Sequence, residues 1–440
     1  MPSADVVVIG AGLAGLTAAI AVAESGARVH VLAKGLAATH WGPGGIDVAG
    51  IPAASTPRDG IQRLAGQPGH PYAFLGDDVA AALDWIRPHL AAGGLEYVGD
   101  LDTPLQLVPT SIGGTRRAAI LPAGQAAAVS PWAAGERLVI CGVAGFKDFW
   151  PEAIAASLSR ERIWEGGNRP AVVTPVSVAL PGLADRHNLN GPEIARRFDD
   201  PVWRAKAIEA IARAIASLPG SGGRVALPAV LGIREHAAVL AAMQQRLPAA
   251  PFEMPLVPPS VPGMRLYAAL RAAVMRAGGR VQVGEMIERV ECDGRRVTAV
   301  VSAAAARTYT VRTGALVLAT GGIAGGGLVA DRDGQLQETL LGLPVEAPPV
   351  DDWLSMDAFD PAGHPLEKAG IRTDAELRPV AADGASLFDN ARVAGSLLAG
   401  QRYVRERCGD GVALTSGWRA ARSLTAVPAG HAANPGSQRP

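Results

Sequence analysis

The chain has 440 residues, 41 Lys+Arg against 41 Asp+Glu and no formal net charge, which excludes a nucleic-acid footprint and a polybasic membrane patch. This length allows two domains or one fold carrying a large insertion, and no run of about 18 uncharged apolar residues marks a membrane span. Three scattered cysteines (Cys141, Cys292, Cys408) fit a reducing compartment and argue against a disulfide framework. They are also too few to ligate an iron–sulfur cluster within this chain.

The first element is a short apolar strand, Val6 to Ile9, bounded by Gly10. Gly10, Gly12 and Gly15 then follow the G-x-G-x-x-G spacing at a strand-to-helix turn. The first glycine permits the turn, the second brings backbone close to a phosphate, and the third lets helix and strand pack closely. The helix N-terminus, with Leu13 and Ala14 in its first turn, offers N–H groups to an anion. Gly26 ends the helix and Val29 to Leu32 form the next strand, the order a dinucleotide fold requires. No acid follows to hold a ribose hydroxyl, because the second strand ends in Ala33-Lys34. Either the ribose is held another way or the ligand has no adenosine half; Lys34 could instead neutralise a phosphate. There is no basic region ahead of the first strand, so no signal peptide is expected.

The stretch Thr39 to Asp47 is too rich in glycine for a helix and reads as a loop returning over the nucleotide site. Gly44 and Gly45 would let its backbone approach a flat ring. His40 in this loop is a candidate proton carrier. Asp77 to Leu90 is an amphipathic helix, and Leu95 to Val108 reads as strands around a turn. Arg116 and Arg117, beside Gly113-Gly114, are either a clamp for a carboxylate or phosphate or a solvated pair at a turn. Strands at 138–143, 171–180 and 224–227 alternate with helices from Pro151, across 191–218 and across 234–247, before a Pro-rich connector at 252–263. With no second glycine fingerprint, this part reads as an inserted α+β cap domain.

From Arg280 the chain returns to strands. Val281–Val283, Met286–Cys292, Val297–Ser302 and Tyr309–Arg312 form a small meander with a hairpin turn at Asp293-Gly294. Ala315 to Thr320, closing on Gly321 and Gly322, is a second buried strand expected in the same parallel sheet as Val6–Ile9. A Pro-rich region containing His364 leads to a last strand and turn ending at Gly395. Cys408-Gly409-Asp410-Gly411 starts a helix from Val412 to Leu424, a second N-terminus able to stabilise negative charge. The expected division is 1–79 for the first part of the nucleotide-binding domain, 80–260 for the cap, 261–425 for the second part, and a flexible tail at 426–440.

The Gly10 fingerprint, the Thr39–Ile46 loop, the Ala319-Thr-Gly-Gly322 strand end and the Cys408-Gly-Asp-Gly411 helix start resemble the fumarate reductase and succinate dehydrogenase flavoprotein family. Gly145-Phe-Lys-Asp-Phe-Trp-Pro151, Pro258 to Leu266, Ala319 to Ala330 and Leu387-Phe-Asp-Asn390 resemble, more narrowly, the B-type subunits of anaerobic glycerol-3-phosphate dehydrogenase. The resemblance implies an α/β fold: a Rossmann-like FAD-binding domain with a parallel sheet, a small β-meander and the inserted cap. It implies a flavin on Gly10 to Gly15, with Gly44 and Gly45 near its reactive edge and further contacts from Thr320, Gly321, Gly322 and Gly395. The helix from Gly411 and Val412 would face the ring carbonyls. The wider fold implies FAD, whereas the narrower family is described with FMN, which has no adenosine ribose. Asp410 departs from the glycine expected there, and its carboxylate is expected to point away from the ring.

The implied reaction is oxidation of glycerol 3-phosphate to dihydroxyacetone phosphate. His40 would act as base and Arg116 and Arg117 would hold the phosphate. Electrons would pass through sister flavoprotein and iron–sulfur subunits towards quinone. The chain would be cytoplasmic, or peripheral at the inner face of the membrane through a partner. The alternatives are a non-catalytic electron-transfer or scaffold protein and a fumarate-type alkene reductase, which needs an arginine acid and a dicarboxylate clamp.

Overall fold

Two hydrophobic cores divide the molecule. The computed structural model describes residues 2–425 apart from 52–53, 130, 165–167, 184, 187, 221–222 and 305–306; the tail expected at 426–440 lies outside the described residues. The first core is built on a sheet whose central strand, β1 (Ser3–Ile9), pairs in parallel with β2 (Val29–Ala33). Helix α1 (Leu13–Glu24) joins them. Its Leu16 and Ile20 are fully buried, each burial contributing roughly 1.5–3 kcal/mol. Helix α2 (Val79–Ala91) places Val79, Leu83, Ile86 and Leu90 on one buried face, and that face belongs to this core. Leu95 and Leu101 are also part of the first core.

The second core holds a parallel four-stranded sheet of β3 (Arg137–Val143), β4 (Val172–Val178), β5 (Arg224–Pro228) and β6 (Ala250–Met254), in the order β6-β5-β3-β4. Every pairing is parallel, with helices α3 (Pro151–Leu158), α4 (Gly191–Phe198), α5 (Pro201–Ala216) and α6 (His236–Arg246) in the connections. This sheet is parallel throughout because helical crossovers join its neighbouring strands, while Gln106–Pro109 and Thr115–Ala118 pair antiparallel beside it.

The chain returns to the first core through α7 (Val261–Arg276). Strand β7 (Arg280–Val283) adds to the free side of β2, giving the order β7-β2-β1. The meander follows as β8 (Met286–Asp293), β9 (Arg296–Ala304) and β10 (Arg307–Leu318). Strand β10 fuses two stretches expected to be separate. Its first half pairs antiparallel with β9 (Ala304↔Arg307 to Ala299↔Arg312), and its second half pairs parallel with β1 (Val6↔Ala315 to Ile9↔Leu318). Gly314 lies inside this continuous strand. Strand β11 (Ala391–Val393) joins β10 in parallel, and α8 (Gly409–Thr425) closes the domain. It crosses α1 where a Cβ on Gly417 would lie 2.2 Å from the Ala14 carbonyl oxygen.

Candidate functional site

The parallel strands β1, β2, β10 and β11 all end at one edge of the sheet, where such folds place ligands. A cavity of ≈ 950 Å³ opens there. Its lining includes Gly10, Gly12, Leu13 and Ala14 after β1, Lys34 after β2, Gly44 and Gly45 of the following loop, Thr320, Gly321 and Gly322 after β10, and Gly395 after β11. At Gly10 a side chain is absent for a steric reason. Gly10 has φ +112°, and a Cβ would stand 2.1 Å from the Ala319 carbonyl oxygen, so two strand ends meet at that point. Thr320 Oγ1 on this wall is buried with no hydrogen-bond partner among the described residues.

Gly15, Gly411 and Val412 stand behind the wall and do not line it. A Cβ on Gly15 would be 2.0 Å from the Gly10 carbonyl oxygen, so this glycine serves the close approach of α1 to β1. The Gly411 N–H donates to the Asp47 carbonyl at 3.0 Å, and Val412 is fully buried.

The loop from Thr39 to Gly45 is pinned from several directions. Thr39 Oγ1 accepts from the Leu13 N–H at 2.9 Å. Ser260 Oγ donates to the Gly42 carbonyl (2.6 Å), Gln125 Nε2 to that of Pro43 (2.9 Å) and Tyr97 Oη to that of Gly44 (2.6 Å). Anchored in this way, Gly44 and Gly45 present backbone to the cavity.

The three residues expected to act on substrate do not line it. His40 turns to an edge-on packing with Trp41 and Tyr267, at centroid distances of 5.4 and 5.7 Å, and burial lowers its pKa. Arg116 Nη1 donates to both carboxylate oxygens of Asp47, at 2.9 and 3.1 Å, so its charge is committed to an ion pair. Arg117 faces a separate crevice of ≈ 10 Å³ shared with Asp47 and Arg407.

Asp410, whose carboxylate is expected to point away from the ring, is among the residues lining the cavity. It lies in the first turn of α8 and on the cavity wall, where Oδ2 accepts the Asp47 N–H at 3.1 Å. Burial and the neighbouring Asp47 charge push its pKa up to about 7, against the opposing pull of the Asp47 N–H and Arg116. Its replacement of an expected glycine was the available signal. Glu285 also lines the cavity, beside Lys34, and no linear motif marks it.

The turn ahead of α8 is held by a buried cluster of His70, Glu406 and Cys408. The Tyr72 N–H donates to His70 Nδ1 at 3.1 Å, so neutral His70 carries its proton on Nε2, which lies 3.3 Å from Glu406. The Cys408 thiol donates to the same carboxylate oxygen at 3.5 Å, as does the Arg402 N–H at 2.7 Å. These contacts tie the three side chains into a hydrogen-bonded clamp.

Residues 5–412 match the FAD binding domain family. The B-type subunit of anaerobic glycerol-3-phosphate dehydrogenase from Yersinia enterocolitica is 32% identical over 433 residues, spanning 94% of this chain and 96% of the relative. The protein of the same name from Aliivibrio fischeri is 27% identical over 443 residues, spanning 96% and 95%. Among solved structures, the 3-ketosteroid delta1-dehydrogenase from Sterolibacterium denitrificans is similar with a TM-score of 0.43 at 10% identity, covering 97% of this chain and 100% of that one.

Proposed function

The chain belongs to the FAD binding domain family and, within it, to the B-type subunits of anaerobic glycerol-3-phosphate dehydrogenase, and from that premise we propose that it oxidises glycerol 3-phosphate to dihydroxyacetone phosphate. It is a flavin-dependent dehydrogenase with FAD as cofactor. The cavity suits that group: ≈ 950 Å³ lies within the size range of cofactor sites, Gly10 and Gly12 on its wall carry no side chain, and the buried Thr320 Oγ1 lacks a partner among the described residues. Bound FAD supplies the ring that takes hydride from the substrate carbon.

The chain's own residues do the rest. Backbone N–H groups at the start of α1 receive the pyrophosphate. The pinned Gly42–Gly45 backbone shapes the wall beside the ring. Asp410 takes the hydroxyl proton, and this carboxylate on the cavity wall is the observation that carries the reading. His40, Arg116 and Arg117 keep supporting roles in loop and cluster.

A second reading has one observation in its favour. No arginine is among the described residues lining the cavity, and Lys34 is the only Lys or Arg there. A phosphate clamp could therefore lie on a sister chain, leaving this one to relay electrons. The same observation counts against alkene reduction with an arginine acid. Partner flavoprotein and iron–sulfur subunits, a quinone acceptor and attachment to the inner face of a membrane through a partner complete the proposal. No helix among the described residues is long and apolar enough to cross a membrane.

Anaerobic addition of glycerol 3-phosphate, with flavin absorbance followed, separates the readings. Bleaching of the chain alone supports oxidation at this site. Bleaching only with sister subunits supports the relay, and none in either case removes both. Under the first reading the bleaching rate rises with pH through about 7, as Asp410 loses its proton. The Asp410→Asn protein should bleach roughly 10²–10⁴-fold more slowly, with a flat profile.

A further inference from the structure

We propose that Glu285 supplies, from the strand beside β2, the carboxylate that fixes the adenosine ribose of FAD. In dinucleotide folds that acid ordinarily stands near the end of the second strand, where this chain has Ala33 and Lys34. The sheet provides a substitute by register. Strand β7 runs parallel to β2, with His30↔Arg280 through Ala33↔Val283 in line. The N–H groups of Gly284 and Glu285 both donate to the Ala33 carbonyl, at 2.9 and 3.0 Å. Glu285 is thereby held beside the end of β2, on the cavity wall next to Lys34 and Gly35.

The residue is 6% exposed, so its charge needs partners. Ser302 Oγ donates to Oε2 at 2.6 Å, and Gln282 Nε2 donates to Oε1 at 3.2 Å. A carboxylate has about four acceptor sites, so the Ser302 and Gln282 bonds, with the Tyr309 hydroxyl also close, leave part of its capacity unused. A ribose diol presents two O–H donors, which is the match a fixed carboxylate makes. Asp410, the other carboxylate among the described lining residues, stands in the first turn of α8 and not beside the end of β2. FMN has no adenosine ribose, so the assignment also makes Glu285 a residue that selects FAD over FMN. It rests on the FAD reading above.

The test is titration of the flavin-free chain with FAD and separately with FMN, followed by flavin fluorescence, for wild type, Glu285→Ala and Glu285→Gln. Lost hydrogen bonds to a charged group predict FAD binding about tenfold or more weaker in the Ala variant, with a smaller loss in the Gln variant. FMN binding should match wild type in both, which also reports that the cradle is folded. Unchanged FAD affinity in the variants, or equal weakening of FAD and FMN, overturns the assignment. A wild-type chain that takes neither flavin fells the cofactor reading itself, a result distinct from unaltered FAD binding in the variants.

Discussion

Replacing Gly10 with alanine should yield a folded chain that purifies without FAD. Two costs fall on one atom. The φ of +112° is a conformation L side chains rarely adopt, worth about 1–3 kcal/mol, and the new Cβ would sit 2.1 Å from the Ala319 carbonyl oxygen. Relief requires the ends of β1 and β10 to separate, and those two ends form the middle of the cradle. Affinity for FAD should fall on the order of a hundredfold or more, read by fluorescence titration. Gly26→Ala is the matched control. Its φ is +85° with nothing within 4 Å of a Cβ, at the far end of α1. That variant should lose some stability and keep FAD.

Arg265→Met should destabilise the chain by about 3–5 kcal/mol, seen as a lower urea midpoint. Arg265 on α7 and Glu253 on β6 face each other across the junction between the two cores, with side chains 3% and 0% exposed. Arg265 Nη1 and Nη2 donate to the two carboxylate oxygens at 2.6 and 2.9 Å, and Nε donates to the Gly232 carbonyl at 2.7 Å. Burial would raise the Glu253 pKa, but Arg265, His236 and the Leu231 N–H outweigh it and hold the pKa below its ordinary value. Removing Arg265 leaves a buried carboxylate whose remaining neighbours are the Leu231 N–H and, at 3.8 Å, His236. The double variant Glu253→Gln with Arg265→Met should recover part of the loss, because the cost comes from the stranded charge.

The legible parts of this molecule are those written in short stretches. The strand, glycines and helix from Val6 to Glu24 announce themselves because each glycine answers a local steric demand. Ala315 to Leu318 reads as a buried parallel strand for the same reason, its apolar run being continuous. The parts decided by distant contacts are not legible. Arg116 has the setting of a phosphate clamp, but Asp47, 69 residues away, holds it. His40 sits in the expected loop, but Trp41 and Tyr267 turn its ring from the cavity. Asp410 is visible as a departure from glycine, yet its inward position depends on the Asp47 N–H, 363 residues away. Glu285 carries no motif because the register of β7 on β2 alone brings it to the cavity. The cap alternates strands and helices as expected, while the direction of its strands is set by crossovers that periodicity does not encode.

The central claim is that chain segments following Ile9, Ala33, Leu318 and Val393, with the start of α8, form one receptacle for a dinucleotide flavin. Mass spectrometry of the small molecule released from the freshly purified, denatured chain tests this most directly. FAD at about one per chain is the expected result. A chain that releases no flavin, and takes up none when offered FAD, contradicts it.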